Sequence, residues 1–109
     1  MKSIVVRSAS EKFFSAGADI GAFQKGSARQ RWMTVLLMHE VLRKMETTPL
    51  IFIAEIAGHP LGGGLEIALA CDFRFAAHGD YKLGLPAVNL GLLPGNGGTH
   101  RLPRLVGKS

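Results

Sequence analysis

The sequence has little cysteine and no long apolar run. Only one of its 109 residues is a cysteine, so no disulfide can form within the chain, and a reducing compartment is expected. No stretch approaches the roughly 18 apolar residues of a membrane-spanning helix, and residues 1–6 lack the apolar core of a signal peptide. These absences predict a cytoplasmic protein that has no membrane partner.

Sequence motifs for metal binding, serine nucleophiles and nucleotide phosphates are also missing. No histidine has metal-ligand spacing to another histidine or to Cys71, and Gly-x-Ser-x-Gly is absent. The final Gly-Lys-Ser resembles a P-loop but has Leu102 in place of the first glycine, and His100 replaces the third glycine of a dinucleotide fingerprint. We therefore expect no metal and no separate cofactor. The histidines are His39, His59, His78 and His100, of which His59 and His100 lie in glycine-rich segments as weak candidates for ligand contact.

Acidic residues are fewer than basic ones, with eight Asp and Glu against 13 Lys and Arg and a net charge of +5. Nucleic-acid binding requires basic residues clustered in a patch, but here no basic run exceeds two residues. Lys25, Arg29 and Arg31 are predicted to share one helix. The charge balance fits a phosphorylated small molecule or an ordinary solvated surface better, so nucleic acid is not an expected partner.

The order of predicted elements indicates an α/β fold. Short apolar runs rich in β-branched residues predict strands, and apolar residues at helical spacing before Pro49 predict a long helix. This alternation is typical of an α/β protein. The strands are predicted at residues 2–7, 50–56, 73–76 and 81–83, the helices at 28–45, 65–70 and 99–106, and loops at 8–19 and 58–64.

Three consecutive glycines, Gly62, Gly63 and Gly64, follow a predicted buried strand and open a helix. Glycine lets a backbone approach a ligand closely, and the free N–H groups of a helix start can hold a phosphate or a developing oxyanion. A tight turn without any ligand explains the same residues, so the run alone leaves both interpretations open.

Glu66 lies in an otherwise apolar helix. A carboxylate is costly there unless it is paired or used chemically. It is therefore a candidate acid or base, and the alternative is an ion pair with a nearby arginine. Asp72 does not share its helix face and is assigned a structural role, as a cap or a paired carboxylate.

Three segments together resemble the signatures of the crotonase, or enoyl-CoA hydratase/isomerase, superfamily. Their order and spacing match the family and span most of the chain. They are residues 14–20 (FSAGADI), 57–72 (AGHPLGGGLEIALACD) and 83–102 (LGLPAVNLGLLPGNGGTHRL).

The resemblance implies a partial crotonase-type spiral of ββα units that binds an acyl-CoA thioester, as in fatty acid metabolism. It implies that the N–H groups of Ala18 and Gly63 form an oxyanion hole for an enolate and that Glu66 is the acid or base. CoA then enters as part of the substrate. The implied substrate-binding residues are Ala16, Gly17, Ala18, Asp19, Ile20, Gly62, Gly63 and Ala87, of which residues 16–20 resemble the segment that cradles the CoA adenine.

The sequence departs from the family pattern at Ala87. Family hydratases carry a second glutamate at this position, after the proline of the third segment. Losing an acid or base group typically costs about 10²–10⁴ in rate, so hydration of an enoyl-CoA is in doubt. An isomerase, lyase or decarboxylase that uses Glu66 alone stays open, as does a non-catalytic fragment that binds CoA or assembles with related subunits.

Length is the second departure, because family domains are more than twice as long. We expect residues 1–109 to be the central part of one crotonase-like domain, without its N-terminal strands and C-terminal helical region, and to be inactive alone. The resemblance implies that full-length members are homotrimers or hexamers.

Overall fold

The computed structural model describes residues 2–108 and has an α/β fold of parallel strands and helices. In chain order, two strands are followed by two helices, the next two strands by one helix, and the last strand by two short helices. They are β1 (Ser3–Val6), β2 (Phe13–Ser15), α1 (Ile20–Lys25), α2 (Ala28–Thr47), β3 (Ile51–Ile56), β4 (His59–Pro60), α3 (Gly63–Ala70), β5 (Phe73–Ala76), a 3₁₀ helix (Pro86–Leu90) and α4 (Gly98–Val106).

All strand pairs within residues 2–108 are parallel. The first sheet has the order β1-β3-β5, with Val5 opposite Ile53 and Ile53 opposite Phe73. The second pairs β2 with β4, placing Phe13 opposite His59. The two sheets therefore take alternate strands of the chain, and the ββα units that the family resemblance implied are confirmed.

The core lies where α3 packs against both sheets. Phe14 of β2, Ala54 and Ile56 of β3, and Ala68 of α3 form one buried cluster with Cys71. Because α3 is apolar on nearly all sides, it can be surrounded by other elements, and Ala68 has no exposed surface. Burial raises the pKa of the Cys71 thiol, which keeps it neutral and suits a packing role.

Most predicted elements are confirmed within one or two residues, but the region after β5 differs. Residues 81–83 do not form a strand; instead the Lys82 amide donates to Nδ1 of His59 at 2.8 Å. Only Gly84 makes a bridge, with Leu61. The backbone donor of Lys82 is taken by a side chain, so no ladder forms in this stretch.

Lys25 is not on the same helix as Arg29 and Arg31, contrary to the sequence prediction. It lies in the last turn of α1, whereas both arginines lie in α2. The break is explained by a capping box, in which the Ser27 hydroxyl accepts from the Gln30 amide at 3.2 Å and the Gln30 side chain accepts from the Ser27 amide at 2.8 Å.

Asp72 has the structural role predicted for it. Its Oδ2 accepts a hydrogen bond from the Phe52 amide at 2.8 Å, and its own amide donates to the Phe52 carbonyl at 2.9 Å. It thereby fixes the start of β3 against the end of α3.

No helix in residues 2–108 combines the length and the apolar content needed to span a membrane.

Gly64 allows β2 to lie directly against α3, and Gly64→Ala is expected to destabilise the fold. A Cβ there would overlap the carbonyl oxygen of Ser15 and lie 2.6 Å from its Cβ. Overpacking of this kind costs typically about 1–3 kcal/mol. That outweighs the ~1 kcal/mol that alanine gains over glycine inside a helix.

Urea unfolding of the complete protein measures this change. Gly95→Ala is the matched control, because a Cβ at Gly95 would meet nothing within 4 Å. A Gly64→Ala variant with an unchanged unfolding midpoint would contradict the close contact between β2 and α3.

Candidate active site

Two loops meet at the N-terminus of α3. The first follows β2, and the second joins β4 to α3, where the Leu61 amide donates to the Ser15 carbonyl at 2.9 Å. Gly17 has a φ of 93°, and a Cβ on it would lie 2.9 Å from the amide nitrogen of Gly63. Glycine is therefore required at position 17 both by its backbone conformation and by the close approach of the two loops.

The backbone amides of Ala18 and Gly63 are neighbours at this meeting point. A Cβ built on Gly63 would lie 3.8 Å from the amide nitrogen of Ala18. Within residues 2–108, neither amide donates a hydrogen bond to another protein group. The structure thus brings together the two groups that the resemblance implied as donors and leaves both N–H groups unused.

Gly62 sets the direction of the helix start. Its φ of 54° and ψ of −126° are accessible to glycine. Its amide donates to the Gly84 carbonyl at 3.0 Å, and its carbonyl accepts from the Glu66 amide at 3.1 Å. Gly62 therefore joins the second and third sequence segments while turning the chain into α3.

The remaining predicted residues of the first loop lie at the surface. Ala16 and Asp19 are exposed, and Ile20, which begins α1, is 45% exposed. Oδ1 of Asp19 accepts from the Ala22 amide at 3.1 Å, so Asp19 is the N-cap of α1. The observed role of Asp19 is to fix the end of the loop; contact with substrate stays a prediction for these residues.

Glu66 is one turn along α3 from Gly63 and is only 2% exposed. Its Oε1 accepts two backbone hydrogen bonds, from the amides of Asn96 at 2.9 Å and Gly98 at 3.0 Å. Oε2 accepts no hydrogen bond within residues 2–108. Every fully buried side-chain oxygen in those residues has a hydrogen-bond partner, so Oε2 is not fully buried. The carboxylate is held firmly by one oxygen while the other stays available.

The alternative that Glu66 forms an ion pair with an arginine is wrong for the described residues. Arg101 on α4 bonds Glu46 of α2 instead, with Nε to Oε1 at 2.7 Å and Nη2 to Oε2 at 3.0 Å. Amide groups satisfy the Glu66 carboxylate because Gly98 lets the chain come close. A Cβ on Gly98 would lie 2.9 Å from Oε1 of Glu66 and 2.7 Å from Cδ1 of Leu85.

Ala87 lies in the 3₁₀ helix that Pro86 begins. It is partly buried, and its carbonyl accepts from the Leu92 amide at 3.0 Å. Leu85, two residues before Ala87, lies beside Gly98, and so does the Glu66 carboxylate. The segment that contains Ala87 is therefore close to Glu66. Because residue 87 is an alanine, it supplies no titratable group near Glu66.

Two further residues of the site were not found by sequence reasoning. Asn96 lies beside Gly63: its Nδ2 is 3.4 Å from the position that a Cβ on Gly63 would occupy. Arg101 donates from Nη1 to the Asn96 carbonyl at 3.1 Å, which ties this loop to Glu46 as well. Both residues lie inside the third sequence segment, but only the fold shows that they approach α3.

The glycine-loop histidines are placed differently from one another. Nδ1 of His59 accepts from the Lys82 amide, and its ring lies 5.3 Å from the Phe13 ring, so His59 packs between two segments of the chain. His100 is exposed on α4. Neither has a hydrogen bond to Glu66.

The Glu46–Arg101 pair predicts an acid-dependent loss of stability. The hydrogen bond from Arg101 holds the pKa of the Glu46 carboxyl below its usual 4.5. A depressed pKa stabilises the fold at pH values above 4.5, and this stabilisation is lost as pH falls through the folded-state pKa. Because the Glu46 side chain is 42% exposed, we expect at most about 1 kcal/mol.

Denaturant unfolding at a series of pH values tests this contribution. Glu46→Gln is expected to cost stability at pH 7, and the cost should shrink as the buffer is acidified below the usual glutamate pKa. Glu40→Gln, at an exposed position on the same helix, is the control. A difference between Glu46→Gln and the parent that stays constant with pH would contradict the prediction.

Comparison with known proteins finds similarity to enoyl-CoA hydratases and isomerases along the whole chain. The family model described as enoyl-CoA hydratase/isomerase matches residues 1–109. A probable enoyl-CoA hydratase of Bacillus subtilis (strain 168) is 46% identical over 110 residues, covering 98% of this chain and 41% of the relative. The fatty acid oxidation complex subunit alpha of Aliivibrio fischeri is 44% identical, with 98% of this chain and 16% of the relative covered.

The same likeness holds for solved structures. The enoyl-CoA hydratase from Geobacillus kaustophilus HTA426 superposes with a TM-score of 0.94 at 48% identity, over 98% of this chain and 40% of that protein. The α/β arrangement described above therefore matches part of the crotonase fold. This chain spans less than half the length of each of these three proteins.

Proposed function

Because the chain belongs to the enoyl-CoA hydratase/isomerase family, we propose that it acts on acyl-CoA thioesters and stabilises their enolates. The amides of Ala18 and Gly63 form the oxyanion hole. The observation that carries this proposal is the meeting of these two amides, unused by any protein acceptor in residues 2–108, at the start of a helix. Donors fixed in place before the reaction need no reorganisation when charge develops on the thioester oxygen.

Glu66 is the acid and base of the proposed reaction. Its location one turn from Gly63 directs a carboxylate toward the carbons next to a thioester carbonyl held by the two amides. The bonds from Asn96 and Gly98 orient Oε1, and Oε2 is left to take a proton from the α-carbon of the acyl chain or to return one to carbon. The CoA portion enters with the substrate, so no separate cofactor takes part.

The absence of a carboxylate at Ala87 favours reactions that need one acid/base group. A single carboxylate can move a proton between two carbons, or assist loss of a leaving group, by taking and returning the same proton. Addition of water needs one group to activate the water and one to deliver a proton, which raises the barrier here. Isomerisation, C–C cleavage and decarboxylation are therefore supported more strongly than hydration.

The wider setting follows from the same family. We propose a role in cytoplasmic fatty acid metabolism, with the complete protein assembled as a homotrimer or hexamer, and residues 1–109 as the central part of its crotonase-like domain. No nucleic-acid partner is proposed.

Titration of the complete protein with crotonyl-CoA, followed by turnover assays, tests the proposed function. Binding with turnover is expected, and isomerisation of a 3-enoyl-CoA should be faster than hydration of crotonyl-CoA. Binding without any turnover would favour a non-catalytic CoA-binding module. Failure to bind would overturn the proposal.

A further inference from the structure

Asn96 has its backbone fixed on both sides by charged groups of the site. Its amide donates to Oε1 of Glu66 at 2.9 Å, and its carbonyl accepts from Nη1 of Arg101 at 3.1 Å. Arg101 is in turn held by Glu46 through two hydrogen bonds. A backbone clamped in this way gives the Asn96 side chain a fixed origin and direction.

The Asn96 carboxamide lies beside the first residue of α3. Its Nδ2 would lie 3.4 Å from a Cβ built on Gly63, and the Ala18 amide nitrogen would lie 3.8 Å from the same point. The side chain is half-buried, and within residues 2–108 its carboxamide forms no hydrogen bond. An unused pair of N–H donors thus lies beside two unused backbone donors.

We propose that the Asn96 carboxamide is a third donor of the oxyanion hole, giving a hydrogen bond to the enolate oxygen of the bound thioester. This inference rests on the proposed function, since it requires a thioester held at Ala18 and Gly63. A neutral amide suits the position because it donates without titrating and adds no negative charge beside Glu66.

The step it assists is balanced without any further reactant. Oε2 of Glu66 takes a proton from the α-carbon of the acyl chain. The electron pair of that C–H bond forms the C=C bond of the enolate, and the π pair of the carbonyl moves onto the thioester carbonyl oxygen. The three donors stabilise the resulting oxyanion. Glu66 then returns a proton to carbon, which in D₂O is a deuteron once the carboxylic acid has exchanged with solvent, so nothing is oxidised or reduced.

The first experiment follows deuterium exchange at the α-carbon of butyryl-CoA in D₂O, which reports enolate formation followed by exchange of the Glu66 proton with solvent. In the complete protein, Asn96→Leu is expected to lower the exchange rate constant of the bound thioester about 10²-fold, the usual effect of one oxyanion donor, with little change in KM. Asn96→Asp keeps the shape and the backbone bonds but places a carboxylate beside the oxyanion, so an equal or larger loss is expected. Asn89→Leu, at the other and exposed asparagine, is the matched control.

A spectroscopic readout separates a direct contact from a packing role. Acetoacetyl-CoA ionises to an enolate that absorbs in the ultraviolet, and its ionisation in the site reports the strength of the donors. The pH at which half of the bound ligand is ionised should rise by about two units in Asn96→Leu, the equivalent of a 10²-fold loss. A merely structural role would weaken binding without moving this midpoint.

The outcomes distinguish the inference from the proposed function beneath it. If Asn96→Leu and Asn96→Asp both leave exchange and the ionisation midpoint unchanged while Gly63→Pro abolishes exchange, the third donor is refuted and the two-amide hole stands. If the parent forms no enolate at all, or Gly63→Pro has no effect on it, the proposed function itself fails.

Discussion

Gly63→Pro in the complete protein is expected to lower turnover of an acyl-CoA thioester by about 10²–10³-fold or more, the effect of losing one oxyanion donor. Proline has no N–H, so the substitution removes the group that Gly63 contributes. Gly63 is the first residue of α3, the helix position at which proline is best tolerated. The variant therefore removes the donor while leaving the helix able to form.

The matched control for this change is Gly63→Ala. A Cβ there would have ordinary contacts, 3.4 Å from Nδ2 of Asn96 and 3.5 Å from Cα of Gly17, and the N–H is retained. Its kcat should fall by less than that of Gly63→Pro, because the donor N–H is retained. Equal kcat in the parent and in Gly63→Pro would remove Gly63 from the mechanism.

Ala87→Glu is expected to raise the hydration of crotonyl-CoA by about 10²-fold or more, the usual scale of one acid/base group. The substitution supplies a second carboxylate from the segment that borders Glu66 through Leu85 and Gly98. Water addition then has one group to hold and activate the water and another to deliver the proton. The measurement is the hydration rate of the complete parent protein and of the variant under identical conditions.

Ala87→Gln separates acid/base chemistry from side-chain size. Glutamine fills the same space without a titratable group, so it should give no comparable gain in hydration. If the parent already hydrates crotonyl-CoA efficiently and Ala87→Glu changes nothing, then the second carboxylate is dispensable and the interpretation of Ala87 is wrong.

The sequence predicted elements well wherever a long apolar pattern dictates them. The helix predicted at residues 28–45 is observed as Ala28–Thr47, and the strand at 50–56 is observed as Ile51–Ile56. β2 was predicted as a loop because a strand of three residues is too short to show an alternation of apolar and polar side chains. It exists as a strand because Gly58 and Gly64 let the chain lie against it, and the absence of a Cβ at a close contact between distant segments has no local signature.

The candidate site was predicted in its residue types but not in its connections. Glu66 was singled out because a carboxylate in an apolar helix needs an explanation, yet its partners lie about thirty residues further along the chain. They are backbone amides, and an amide looks the same at every position of a sequence. Asn96 and Arg101 were missed for this reason, since their roles depend on where the third segment crosses α3.

The parallel arrangement of the first sheet has a consequence for how the chain folds. Ser3 pairs with Ile51, and Ile53 with Phe73, so no strand has a partner that is its neighbour in sequence. β1 cannot pair with β3 until the residues between them have been synthesised. At about 5–20 residues per second, that synthesis takes several seconds on the ribosome. Long-range pairing of this kind folds slowly because the entropy of closing a long loop is lost before any strand contact is gained. During that interval β1 lacks β3, its partner in this sheet, and an unpaired apolar strand is prone to associate with other chains.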